Sequence, residues 1–136
     1  VYASGNVVVT QEDIKIYGDQ AEFDQNKQLI QIFKNVKVVR DKMTLTCDQV
    51  KAFGQEERIE ALGSVRFSYN GISGRADLGK YNIKGQTVDL LGSPKAWQGS
   101  DELTGDVISV DLKKTKIRTS GKSKVVFSVD KISGRK

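Results

Sequence analysis

Apolar and polar residues alternate along most of this chain with a period of two. VVV at 7–9, IKI at 14–16, AEF at 21–23 and LIQI at 29–32 place aliphatic or aromatic side chains at i and i+2. A strand points successive side chains to opposite faces, so this spacing predicts half-buried strands. No stretch holds a 3.6-residue pattern beyond one turn, and β-branched residues are frequent. The alternation itself recurs. DQAEFD begins at Asp19, DQVKAF at Asp48, DLGKYN at Asp77 and DVISVD at Asp106, a constant step of 29 residues.

Stepping by 29 gives columns of consistent chemistry. Ile30, Ile59, Val88 and Ile117 form one, and Val9, Val38, Phe67, Ala96 and Val125 another. Val7, Val36 and Val65 open a third that passes to Pro94 and Ser123, while Ile16, Leu45, Leu103 and Ile132 share theirs with Gly74. Gly18, Cys47, Ala76, Gly105 and Gly134 are all small, and Phe23, Ala52, Tyr81 and Val110 mix large with small. Gly5, Lys34, Gly63, Gly92 and Gly121 precede the first strand of each unit, where a turn is expected. Each unit is expected to hold three or four short strands, near 6–10, 13–18, 20–24 and 28–34 in the first, or roughly fifteen strands in all. The expected organisation is one domain over 1–136, with full repeats at 6–34, 35–63, 64–92 and 93–121 and a partial one after them. A single rung cannot bury its apolar face alone, whereas stacked rungs join those faces.

Composition removes several kinds of chemistry. There is no histidine, the commonest general base and transition-metal ligand, and one cysteine, which excludes an internal disulfide and a zinc site built on Cys pairs. No stretch approaches the ~20 apolar residues of a membrane helix, and nothing at the N-terminus reads as a signal peptide. Twenty-two Lys and Arg against 17 Asp and Glu give a net charge of +5, spread along the chain, which suits an anionic partner. Lys37, Arg66, Lys95 and Lys124 make a stripe on one face, as fit for phosphate as for solvent. Nucleic-acid binding calls for interleaved exposed aromatics; only Tyr69 and Trp97 lie near that stripe. Trp97 is expected to face outward or toward an edge.

The aspartate column lacks the glycine-rich nonapeptide of calcium-binding repeats, and its members would lie ~10 Å apart. Each Asp is expected to cap a turn through its own backbone. Cys47 has no histidine to activate it and reads as a small buried thiol. The expectation is therefore no catalytic residue, no metal and no cofactor.

The G-[NS]-V-x-[VF] strand start (GNVVV at 5–9, GSVRF at 63–67, and KNVKV at 34–38) recurs together with GDQAEFD at 18–24 and its copies DLGKYN and GDVISVD. Along with LLGSPKAWQGSDELTGDVISVDL at 90–112, these elements resemble the OstA-like family over nearly the whole chain. The resemblance implies an all-β open β-jellyroll of two folded antiparallel sheets with an apolar trough. It also implies a non-enzymatic periplasmic role in lipopolysaccharide transport, with the acyl chains of lipid A in the trough. The implied partners are the inner-membrane and outer-membrane components of that transport system and further copies of the chain joined head to tail. No nucleic acid is implied. Relatives carry an anchoring helix or a large barrel, so the expectation is the soluble bridge or the jellyroll of a larger relative.

On this reading the lipid contacts are Phe23, Ile30, Ile32, Val36, Val38, Leu45, Ile59, Phe67, Ile72, Tyr81, Val88 and Leu90, with Lys or Arg at the rim meeting phosphate. On pattern alone, an interior filled by its own side chains is the better reading, and the resemblance reverses that preference. The rival is a structural repeat module with a dry core and no lipid.

Overall fold

The computed structural model describes residues 2–122 and 124–126. Ser123, Ile132 and Gly134 of the repeat columns lie outside the described residues, as do the side chains of Lys124 and Val125. The described chain is all strand and turn. β1 (Tyr2–Gln11), β2 (Ile14–Asp24), β3 (Leu29–Arg40), β4 (Met43–Phe53), β5 (Arg58–Tyr69) and β6 (Ile72–Asn82) are long and pair antiparallel in chain order. Shorter strands follow: β7 (Thr87–Leu91), β8 (Lys95–Gln98), β9 (Asp101–Thr104), β10 (Val107–Asp111), β11 (Lys116–Ser120) and β12 (Lys124–Val126).

Strand length is the first departure from expectation. One 29-residue step spans two long strands, not three or four short ones, and the positions read as turns at Gly5, Lys34 and Gly63 lie inside β1, β3 and β5. Each is a bulge. Ser4 to Val7 spans three residues while its partners Gln20 and Gly18 are two apart, and β3 and β5 carry the same extra residue at 34–35 and 63–64. Lys34 and Asn35 have φ of 65° and 52°, and Gly63 and Ser64 have 80° and 47°. A left-handed residue pair serves a turn and a bulge equally well, so the local sequence reads the same in both. From the third unit on the strands break at the corner, between β7 and β8, β9 and β10, and β11 and β12, the first of these at Gly92, Ser93 and Pro94. There Pro94 lacks the N–H that a continuing ladder needs.

The bulges fold one continuous sheet into two layers. β6 shows this directly, because its N-terminal half pairs with β8 and its C-terminal half with β7. Gly79 is the ladder partner of Leu90, and Gly74 lies five residues further along β6, about 16 Å away in a flat strand. Yet a Cβ on Gly74 would stand 2.8 Å from Leu90 Cδ1, so β6 must bend and bring the layers face to face. The first layer comprises the strand segments beside the four-residue turns at 25–28, 54–57, 83–86 and 112–115. The second comprises those beside the two-residue turns at 12–13, 41–42, 70–71 and 99–100. Inward positions in β4 run 43, 45, 47, then 50 and 52. The odd step at the corner keeps both halves facing one interior, where strict alternation would have turned one outward.

Successive rungs also join at their turns. The amide of Gly54 donates to Gln28 O (3.1 Å), that of Ile83 to Glu57 O (2.9 Å) and that of Leu112 to Gln86 O (2.9 Å). The architecture is the expected all-β open jellyroll, built as two layers of one sheet whose edges do not close.

Candidate functional site

The candidate site is the interior between the layers. Ile32, Val36, Val38, Leu45, Ile59, Phe67, Ile72, Tyr81, Val88 and Leu90 lie there in one cluster, none more than 3% exposed. Ile30 packs half-buried against that cluster, and Phe23, its ladder partner across β2 and β3, is half-buried. All twelve expected lining residues thus occupy the inward face, ten of them sealed from solvent. The interior is graded along the stack. β1, at the N-terminal edge, is largely exposed, and Val7 and Val9 reach the interior only as half-buried residues.

Small residues in the columns are set by their neighbours. A Cβ on Gly18 would meet Ile32 Cγ2, so the glycine makes room for the isoleucine. The equivalent pair one unit later is Cys47 and Ala61, where a larger residue in the first column accompanies a smaller one in the second. Burial raises the Cys47 thiol to about 11, an effect that its hydrogen bonds to backbone at Leu62 and Gln49 only partly oppose. That is the inert, buried thiol expected from its column.

The aspartate column does not cap its own turns. Asp19 accepts a hydrogen bond from Asn35 Nδ2 (2.8 Å) at the bulge of β3, and Asp106 accepts one from the backbone of Lys122 (3.3 Å) in the bend after β11, each 16 residues away. Gly63 and Gly92 lie against Asp48 and Asp77 in the same way. The turn caps are instead Asp24, Asn82 and Asp111, which bond amides of their own four-residue turns. These residues form another column of the same step. Both aspartates of DQAEFD are therefore structural, one bracing the corner and the other the turn. Among the described residues no group of three or more His, Cys, Asp or Glu could hold a metal ion.

Lys37, Arg66 and Lys95 do share one face, but it is the outer face of the second layer. Lys95 pairs there with Glu102 (2.7 Å). Trp97 points outward as expected, next to buried Ala96, with the Arg75 guanidinium 5.7 Å and the Lys95 ammonium 5.6 Å from its ring.

The charge at the mouth of the interior is one that the sequence reading passed over. Arg40 ends β3 in phase with inward-facing Val36 and Val38. Its Nη1 reaches across to the first layer and donates to Tyr81 Oη (2.7 Å) and Ile83 O (3.4 Å), while Nε donates to Asp13 (3.0 Å) in the neighbouring turn of its own layer. The bond to Tyr81 raises the guanidinium pKa further, while burial raises that of Tyr81 against the opposing pull of Arg40. One unit on, Tyr69 Oη donates to Leu112 O (2.7 Å), and Asn70 beside it reaches Thr115 (3.4 Å). These contacts tie the free ends of the layers together. The available signal in the sequence was an arginine in the inward phase of an apolar strand.

Comparison with known proteins agrees with this architecture. Lipopolysaccharide export system protein LptA of Haemophilus influenzae is 24% identical over 140 residues, covering 91% of this chain and 81% of that protein. The crystal structure of LptH, described as the LptA homologous periplasmic component of the lipopolysaccharide transport device of Pseudomonas aeruginosa, superposes with a TM-score of 0.77. It is 16% identical and covers 85% of this chain and 94% of that one, a likeness of fold. Residues 1–116 match the family described as LptA/(LptD N-terminal domain) LPS transport protein, and the chain belongs to that family.

Proposed function

We propose that this protein carries lipopolysaccharide across the periplasm without bond chemistry, holding the acyl chains between its two layers. The observation that carries this reading is the continuous aliphatic interior that both layers line, in a chain of the LPS transport family. Each acyl methylene transferred from water to such a surface contributes about 0.8 kcal/mol, so several chains bind tightly without polar contacts. Ile59, Phe67, Val88, Leu90 and the other inward residues exchange contacts with one another for contacts with lipid. The dry-core scaffold gives no reason for the chain's place in a family of LPS transport proteins.

The partners are lipopolysaccharide itself and the transport components at the two membranes. Copies of the chain also join head to tail. Among the described residues β1 pairs on one side only, and Tyr2 and Val8 on it are 61% and 54% exposed, with Tyr17 beside Val8 at 38%. Among the described residues β11 and β12 likewise have one strand neighbour each. An unpaired edge with apolar side chains is completed by strand addition, which would run one interior into the next.

Photocrosslinking tests the lipid assignment, with a crosslinking residue at Ile59 or Phe67 and a control at outward Arg66. Lipopolysaccharide adducts at the two inward positions alone support the carrier. Adducts at none, in folded protein, put the closed scaffold ahead.

A further inference from the structure

Inward residues exposed by 3% or less cannot touch a lipid until the layers part, and the ties across the mouth resist that parting. The ties are not uniform along the stack. Arg40 faces Ile83 and Tyr69 faces Leu112, pairs related by one step of 29 residues. One step earlier, Gln11 stands at the position of Arg40 and Ala52 at that of Tyr81, with no hydroxyl to accept a bond. The first rung also has the exposed strand β1 and the half-buried Val7, Val9, Phe23 and Ile30. A lipid that parts the layers from this end reaches Arg40 as the first polar tie.

Arg40 is held by partners that a phosphate can replace. Its bonds go to a neutral hydroxyl, a carbonyl at 3.4 Å, and Asp13, whose side chain is 55% exposed. Exposed ion pairs contribute little, whereas a guanidinium fork matches two phosphate oxygens in one plane. The basic stripe of Lys37, Arg66 and Lys95 lies on the outer face of the layer, on the far side from a headgroup whose acyl chains lie inside.

Resting on the carrier reading, we propose that Arg40 both bolts the empty mouth and recognises the cargo: as the layers part, a phosphate on the acylated glycolipid displaces Tyr81 Oη, Ile83 O and Asp13 from its guanidinium. The bolt then opens more readily for phosphate-bearing lipids than for neutral ones of equal acyl content.

The test compares binding of lipid A and of lipid A stripped of its phosphates to the full chain, to Arg40→Gln, and to Arg66→Gln, which loses the same charge from the outer face. The wild type and R66Q are expected to prefer the phosphorylated lipid by about tenfold or more. R40Q is expected to bind both alike, with affinity for the phosphate-free form equal to or above wild type. Tyr81→Phe, which removes one tie and keeps the arginine, is expected to bind both lipids faster. Preference retained in R40Q, or lost equally in R66Q, overturns the proposal while leaving the carrier intact. Binding of neither lipid by the wild type defeats the carrier reading instead. Should R40Q fail to fold, Arg40→Lys decides, because losing the fork must reduce the preference.

Discussion

The contact between Gly74 and Leu90 crosses the interior and yields a prediction whose sign depends on the folded layers. Leu90 is fully buried in the first layer, and Gly74 sits opposite it in the second. Leu90→Ala removes a buried side chain and leaves a partly collapsed cavity, at a cost of about 2–4 kcal/mol. In Gly74→Ala the new methyl would stand 2.8 Å from Leu90 Cδ1, too close without displacement of the leucine. Overpacking costs about 1–3 kcal/mol, offset by about 0.4–1 kcal/mol because alanine has fewer unfolded conformations, so a net loss of about 1 kcal/mol is expected. Gly74 is not left-handed, so the backbone accepts alanine. With alanine at 90, the remaining neighbours are Lys95 O at 3.5 Å and Phe67 Cδ2 at 3.9 Å, both ordinary contacts. The same Gly74→Ala change should then stabilise by about 1 kcal/mol through methyl burial and reduced unfolded entropy. Urea denaturation of the four proteins, without lipid, measures the cycle, and a coupling of about 2 kcal/mol is expected. Additivity within about 0.5 kcal/mol would mean that the layers do not meet across this interior.

Two further predictions concern the corner and the buried thiol. Gly5→Ala should cost about 1 kcal/mol by urea denaturation, because its φ is 76° and nothing lies within 4 Å of the new Cβ. Gly63→Ala adds a clash 2.6 Å from Asp48 Oδ2 and should cost about 2–3 kcal/mol; equal losses would show that the aspartate column does not brace the bulge. Cys47, with its thiol pKa raised from 9.0 to about 11, keeps its proton in the folded state after the unfolded chain has released its own. Stability should therefore fall as pH rises above about 9 and level off for this group above about 11, a loss of at most about 3 kcal/mol. Denaturation against pH should show that component in the wild type and not in Cys47→Ala.

Much of the fold is legible without coordinates. Period-two alternation defines which face of each strand is apolar, and the step of 29 places equivalent residues on successive rungs, so all twelve expected lining residues lie inward. Strand continuity at the corners was not legible. A Lys-Asn or Gly-Ser pair takes left-handed backbone in a turn or in a bulge, and only the pairing of β2, β4 and β6 through the corner makes it a bulge. The roles of Asp19 and Asp24 were hidden similarly, since a carboxylate binds whichever amide the fold delivers.

The sequence by itself determined the β character of the segments, their inward faces and the repeat, because these follow from periodicities that each segment carries locally, but not where one strand ends and the next begins. The tertiary structure alone decided that the two halves of each strand fold onto one another. It also decided that Arg40 meets Tyr81, and Tyr69 meets Leu112, across separations of 41 and 43 residues. Those contacts join opposite layers at the mouth, and no local pattern encodes a distance that exists only after the corners have bent.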